Sequence, residues 1–194
     1  MPPSITRYHH GDLRTACLRA AMELLEQDGA AGLSVRAVAR HAGVSPGAPY
    51  RHYADRDALV SAVAAEGYRE LAGNLSAAHP SPSTPDDLAT VAVAYVQFAL
   101  ERPALFRTMF GDSCDGDSSE RVAATGAIAE YVGALVQRAF PGADPEALSI
   151  AIWAVVHGLA FLYLDGKLDA STPQAVADRV RAAVLALVAV SPAA

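Results

Sequence analysis

The stretch from Leu33 to Tyr53, LSVRAVARHAGVSPGAPYRHY, constrains the fold more than any other part of the chain. It reads as two short helices hinged at a glycine. Val35, Val38 and Ala39 recur at helical spacing and give the first helix one buried face. Ser34 stands at the N-cap position before that run, where its hydroxyl can accept from an otherwise unpaired backbone N–H. Gly43 supplies the tight turn between the helices. Val44 anchors the chain after the turn, and Ser45-Pro46 reads as N-cap and first residue of the second helix. That helix carries Tyr50, Arg51 and His52, side chains that hydrogen-bond to phosphates and base edges. The pattern points to a surface that reads duplex DNA.

The segment resembles the DNA-binding domain of the TetR (tetracycline-repressor) family of bacterial transcription regulators. The resemblance covers about the first sixty residues. It takes in Tyr8-His9-His10-Gly11-Asp12-Leu13, the helix ending at Asp28-Gly29, and Asp55-Arg56-Asp57-Ala58-Leu59, where the family begins its connecting helix. Trp153, His157 and Gly158 resemble the signature of one subgroup of the family's effector domains. The resemblance implies DNA contacts at Ser34, Arg36, Ser45, Pro46, Gly47, Ala48, Tyr50, Arg51, His52 and Arg56. Tyr50 and His52 fit positions that grip phosphates, and Gly47 and Ala48 fit positions close to base edges. Arg51 can reach guanine or a phosphate, and Arg56 stands in the place of a basic residue that touches the backbone.

Two positions depart from the family pattern. Tyr53 stands where Phe is commoner and is expected in the core. Pro49 stands where an aliphatic residue is usual, and it has a physical consequence. If Ser45 is the N-cap, Pro49 is the first residue whose N–H would bond back, and its ring meets the carbonyl four residues earlier, a mid-helix cost of about 3 kcal/mol. A shortened or tightened first turn is expected, with Gly47 absorbing part of the distortion.

The net charge of −6 looks wrong for a DNA binder until it is split by position. Residues 1–56 hold seven arginines against five acids, and residues 57–194 hold eight basic against sixteen acidic residues. A weakly basic head on an acidic body directs the head to phosphate and keeps the body off it. Apolar residues make up 52% of the chain, enough to suggest that some apolar surface meets a second subunit. Of the two cysteines, Cys17 lies on the apolar face of the first helix and reads as a small buried hydrophobe, while Cys114 falls in a polar loop. No secretory segment is evident, so the expected compartment is the cytoplasm.

An all-α fold of about nine helices and no strands is expected. A DNA-binding domain of three helices spans residues 1–55, and a ligand-binding and dimerisation domain spans 56–194, with helix 56–78 connecting them. The first helix spans about 12–26 and stops at Gly29, and the second and third form the helix-turn-helix. Three prolines between His79 and Pro85 end the fourth. The fifth begins at Asp86, the sixth follows Pro103, and the acidic loop 111–119 precedes the seventh, at about 120–140. The eighth and ninth cover 145–164 and 173–190. Residues 148–164 contain no charged side chain and would extend about 26 Å, the short limit for a membrane span. Acids flank both ends and no basic cluster orients it, so burial against a partner is the better reading. Small residues on the ninth helix allow close approach, so two helices from each subunit are expected to build a homodimeric four-helix bundle.

Tyr95, Phe98, Phe106, Met109, Phe110, Tyr131, Trp153, His157 and Phe161 form the candidate ligand-binding set, an apolar pocket with few polar handles; each reads equally as core filling. His157, amid aliphatic neighbours, needs a partner, which could be a carbonyl, Tyr131 or the ligand. His9, His10, His41 and His52 do not make metal-ligand spacing, so no metal is expected, and an N-terminal arm with Arg7 is a candidate phosphate contact. There is no phosphate-cradling glycine loop, HExxH or nucleophile elbow, so neither enzyme nor cofactor is expected. The combined reading is a homodimeric regulator, a repressor released from a pseudo-palindromic operator by a small apolar effector. The alternative is a helical small-ligand carrier without DNA function.

Overall fold

The computed structural model describes residues 10–111 and 118–190. Arg7, His9 and Cys114, named above, lie outside the described residues. Eight α-helices and one 3-10 turn make up the described chain, with no strand among those residues: α1 His10–Gly32, α2 Val35–His41, the 3-10 turn Pro49–Arg51, α3 Arg56–Ala78, α4 Pro85–Glu101, α5 Pro103–Met109, α6 Ser119–Ala139, α7 Pro145–Leu164 and α8 Pro173–Val190.

Local chemistry fixes most of these boundaries. Gly29, at φ 68° and ψ −177°, breaks α1 three residues before its nominal end. Asp55 caps α3 by accepting from the Ala58 N–H at 2.8 Å. Thr84 and Asp87 form a reciprocal capping box at the start of α4. Pro85, Pro103, Pro145 and Pro173 each open a helix, the position where a missing N–H costs nothing. α7 is closed off by Gly166, just past its cap, whose φ of 66° lets the Lys167 N–H reach the Leu162 carbonyl at 2.8 Å.

The body packs α3 against α4, α5 and α6, and α4 against α7 and α8, while α1 rests on α2, α3 and α5. Its core is aromatic and aliphatic: Phe98, Phe106, Leu105 and Met109 have essentially no exposed surface. α3 and α5 pack tightly at Gly67, where an added Cβ would lie 2.7 Å from Met109 Sδ. Cys17 is fully buried in α1, as expected, and burial pushes its thiol pKa up, away from the reactive thiolate.

The expected third helix is the main difference. In place of a helix starting at Ser45-Pro46, the chain makes a turn and then a single 3-10 turn at Pro49–Arg51. Pro49 has no N–H to offer the Ser45 carbonyl, so the Ala48 N–H takes it at 2.9 Å. The His52 N–H then bonds the Pro49 carbonyl at 2.9 Å, the tighter i to i+3 pattern. Ser45 therefore contributes its carbonyl rather than a side-chain cap. Gly47 stays outside the left-handed region, with open space where a Cβ would sit. The Pro49 ring itself is buried and packs where the family pattern places an aliphatic side chain.

Candidate nucleic-acid interface and apolar cavity

The head is held by short-range hydrogen bonds that leave one face free. Ser34 caps α2, its Oγ accepting from the Ala37 N–H at 3.2 Å. Gly43, at φ 67°, ends α2 with two crossed bonds, Gly43 N–H to the Arg40 carbonyl at 3.2 Å and Val44 N–H to the Ala39 carbonyl at 3.0 Å. His41 pairs with Glu23 at 2.8 Å and ties α2 to α1. Arg36, Ser45, Pro46, Gly47, Tyr50 and Arg51 are exposed, and Ala48 and His52 are half-buried. Tyr50 retains 46% of its surface.

Arg56, a member of the set, and the neighbouring Tyr53 have other partners. Arg56 donates from Nε to the Leu33 carbonyl at 3.1 Å and from Nη2 to the Ala30 carbonyl at 2.9 Å, so its guanidinium staples α3 to the α1–α2 connection. Tyr53 is 2% exposed and donates to the Arg14 carbonyl at 3.3 Å, and burial pushes its pKa up to about 12. It belongs to the core, as expected.

The body encloses a cavity of about 490 Å³, within the range of small-molecule sites. Leu71 and Leu75 of α3, Leu88 of α4, Ile128 and Val132 of α6 and Ile152 of α7 supply much of its wall. Only Tyr95, Phe110 and Trp153 of the nine expected residues reach it. Phe98, Phe106 and Met109 are buried in the core beside it, because α5 turns Phe106 inward and leaves Phe110 at the cavity. Tyr131 closes the end of α3, donating to the His79 carbonyl at 2.7 Å and the Leu75 carbonyl at 3.2 Å.

His157 and Phe161 stand behind the lining, in a ring cluster with Phe106 and Phe110. His157 finds its partner in Tyr95 rather than Tyr131: Tyr95 Oη lies 3.0 Å from His157 Nδ1. The Trp153 ring packs against His157 as well, with ring centroids 5.7 Å apart. Which of Tyr95 and His157 donates is set by the imidazole tautomer. Burial lowers the His157 pKa and raises that of Tyr95, which keeps both neutral.

Sequence reasoning missed Arg121, Thr125, Ser149 and Tyr68 among the lining residues. A signal existed on α6, where Arg121, Thr125, Ile128, Val132 and Leu135 follow the four-three spacing of one helix face. Beside Arg121, Glu120 points the other way. It accepts two bonds from Arg14 Nη2 of the head, at 2.6 and 2.7 Å, and lies 3.6 Å from Arg69 of α3. α6 therefore touches the cavity and the head at consecutive residues.

Residues 18–63 match the family model of bacterial regulatory proteins, tetR family, and residues 88–187 match that of the tetracyclin repressor-like C-terminal domain. The chain is similar to an HTH-type transcriptional regulator of Mycobacterium tuberculosis, 32% identical over 109 residues that cover 55% of this chain and 47% of that protein. It is also similar to the HTH-type transcriptional regulator BetI of Brucella canis, 30% identical over 56% of this chain and 57% of that protein. The matched stretch spans about half the length of these curated relatives. A solved protein of unknown function from Rhodococcus sp. RHA1 superposes with a TM-score of 0.79 at 34% identity, covering 93% of this chain and 97% of that one. NalD, the secondary repressor of the MexAB-OprM multidrug efflux pump in Pseudomonas aeruginosa, shares the fold with a TM-score of 0.61 at 23% identity, over 91% of this chain and 95% of that one.

Proposed function

The chain belongs to the tetR family of bacterial regulatory proteins, and from that premise we propose a homodimeric, ligand-responsive DNA-binding regulator. It acts in the cytoplasm as a repressor that leaves its operator when a small, mainly apolar effector fills the cavity. One observation carries this reading: α3 belongs to both sites. Its first residues, Asp55 at the cap and Arg56, hold the head, and Tyr68, Leu71 and Leu75 further along form cavity wall. An occupant that prefers one setting of α3 therefore also selects one setting of the head. The shift is limited by the occupant's differential affinity for the two settings. About 5 kcal/mol of that difference makes a near-complete switch.

The exposed apolar face of α7 and α8 supports a dimer in the same reading. α7 has a mean hydropathy of 2.0 in its most apolar window, yet only 28% of that window is buried within one chain. Ile150, Ala154, Gly158 and Leu162 lie exposed along it, and Ala182, Ala186 and Ala189 along α8. A second copy meeting both helices would cover this apolar surface and set two heads against successive major grooves.

The test is footprinting on the DNA upstream of the gene across a salt series. A near-symmetric protected site with affinity falling steeply in salt is expected. Arg51→Ala is expected to weaken binding by about tenfold or more, and Tyr50→Phe to weaken it less, both without loss of stability because both side chains are exposed. Undiminished binding by both variants removes the contact assignment. A helical carrier without DNA function predicts no salt-dependent affinity.

A further inference from the structure

Resting on the reading of the cavity as the effector site, we propose that the effector is an amphipathic anion, an apolar body ending in a carboxylate that Arg121 receives. Among the described residues, Arg121 is the one charged residue in the lining, and no carboxylate lines the cavity with it. The hydroxyl groups of the lining are already engaged. The Tyr68 hydroxyl donates to the Met109 carbonyl at 2.9 Å, and the Tyr95 hydroxyl is bonded to His157 Nδ1 at 3.0 Å. Thr125 donates to the Arg121 and Val122 carbonyls at 3.0 Å, and Ser149 to the Pro145 carbonyl at 2.6 Å.

Glu120 is no counter-ion for Arg121, because its carboxylate is turned to Arg14 and Arg69. Among the described residues, no other side chain or carbonyl takes the Arg121 guanidinium. A half-buried cation on an apolar wall lacks compensation. A carboxylate supplies it with the bidentate geometry a guanidinium fork prefers. A neutral oxygen gains a weaker bond there, and a cationic ligand is repelled. Arg121 lies in the first turn of α6, whose unpaired N–H groups add a second preference for negative charge. The anion would then sit one residue from Glu120, at the joint between body and head.

Trp153, the single tryptophan of the chain, lines the cavity and reports occupancy by its fluorescence. The experiment titrates the full chain with decanoate and, separately, with 1-decanol, below their aggregation limits. Wild type and Arg121→Met are compared after circular dichroism shows equal helix content. The expected result is that wild type binds decanoate about tenfold or more tighter than decanol. Arg121→Met should lose that preference while keeping its decanol affinity. Equal binding of the two probes by wild type overturns the proposal and leaves the cavity reading intact. So does a preference for decanoate that survives in Arg121→Met. If neither probe changes the Trp153 signal, the cavity reading fails and the proposal fails with it.

Discussion

In the head, the chain is shaped by bonds between residues a few positions apart: Ser34 to Ala37, Gly43 to Arg40, Ala48 to Ser45, His52 to Pro49. In the body, the shaping contacts come from far along the chain, as when Tyr95 of α4 meets His157 of α7 and Phe106 of α5. The head turns its polar groups outward on a small frame that its own turns hold rigid. The body turns its apolar groups inward around a space. A surface that reads a fixed partner needs the first arrangement, and a site that responds to an occupant needs the second. The two meet along α3 and at the Arg14–Glu120 pair.

The comparison breaks most forcefully at Phe106. It is fully buried among Tyr95, Phe98, Phe110, His157 and Phe161. Phe106→Ala is expected to cost about 3–5 kcal/mol, read as a fall in the urea midpoint. A loss below 1 kcal/mol would mean that the body is not organised around this cluster. Gly43→Ala tests the head at smaller scale. An added Cβ there meets nothing within 4 Å, so the whole cost is the left-handed backbone at φ 67°, about 1–2 kcal/mol. Thermal melting measures it, and an unchanged melting temperature would show that the α2 turn does not fix the head.

The smallest effect is the dependence on pH contributed by His157. Burial lowers its pKa in the folded chain below the ordinary 6.5. Below that value the unfolded chain takes up the proton first, so acid favours unfolding. The contribution is full above pH 6.5, declines as pH falls from there towards the folded value, and then levels off. His157→Gln is expected to flatten this part of the curve in urea midpoints taken between pH 7.5 and 5.5. Identical pH dependence in the two proteins would show that Tyr95 does not hold a neutral imidazole.

The head was largely legible because its signals are local. Ser34 and Gly43 are residue types whose role follows from their immediate neighbours. Pro49 was legible in direction but not in extent. A missing N–H foretells a tighter turn, whereas the collapse to a single 3-10 turn depends on what buries the proline ring. The cavity was much less legible, because core and lining use the same apolar residues at the same spacing. Phe106 and Phe110 are one helical turn apart, and only the packing of α5 sends the first inward and leaves the second at the cavity. Arg121 drew no reading at all, although the periodicity of α6 places it on the apolar face.

Gly67 gives the long connecting helix a bearing. Where α3 crosses α5 its surface is bare backbone, and what rests on it is the thioether of Met109, a side chain with three rotatable bonds, with the tip of Leu105 beside it. Leucine against leucine at such a crossing would interlock like gear teeth and permit only steps. A glycine offers no ridge for these side chains to climb, so α3 can roll or tilt there by small amounts. Asp55 and Arg56 lie on one side of that point, and Leu71 and Leu75 on the other. A small displacement at the cavity end would therefore emerge at the head end as a movement in the opposite sense, as in a see-saw balanced at Gly67.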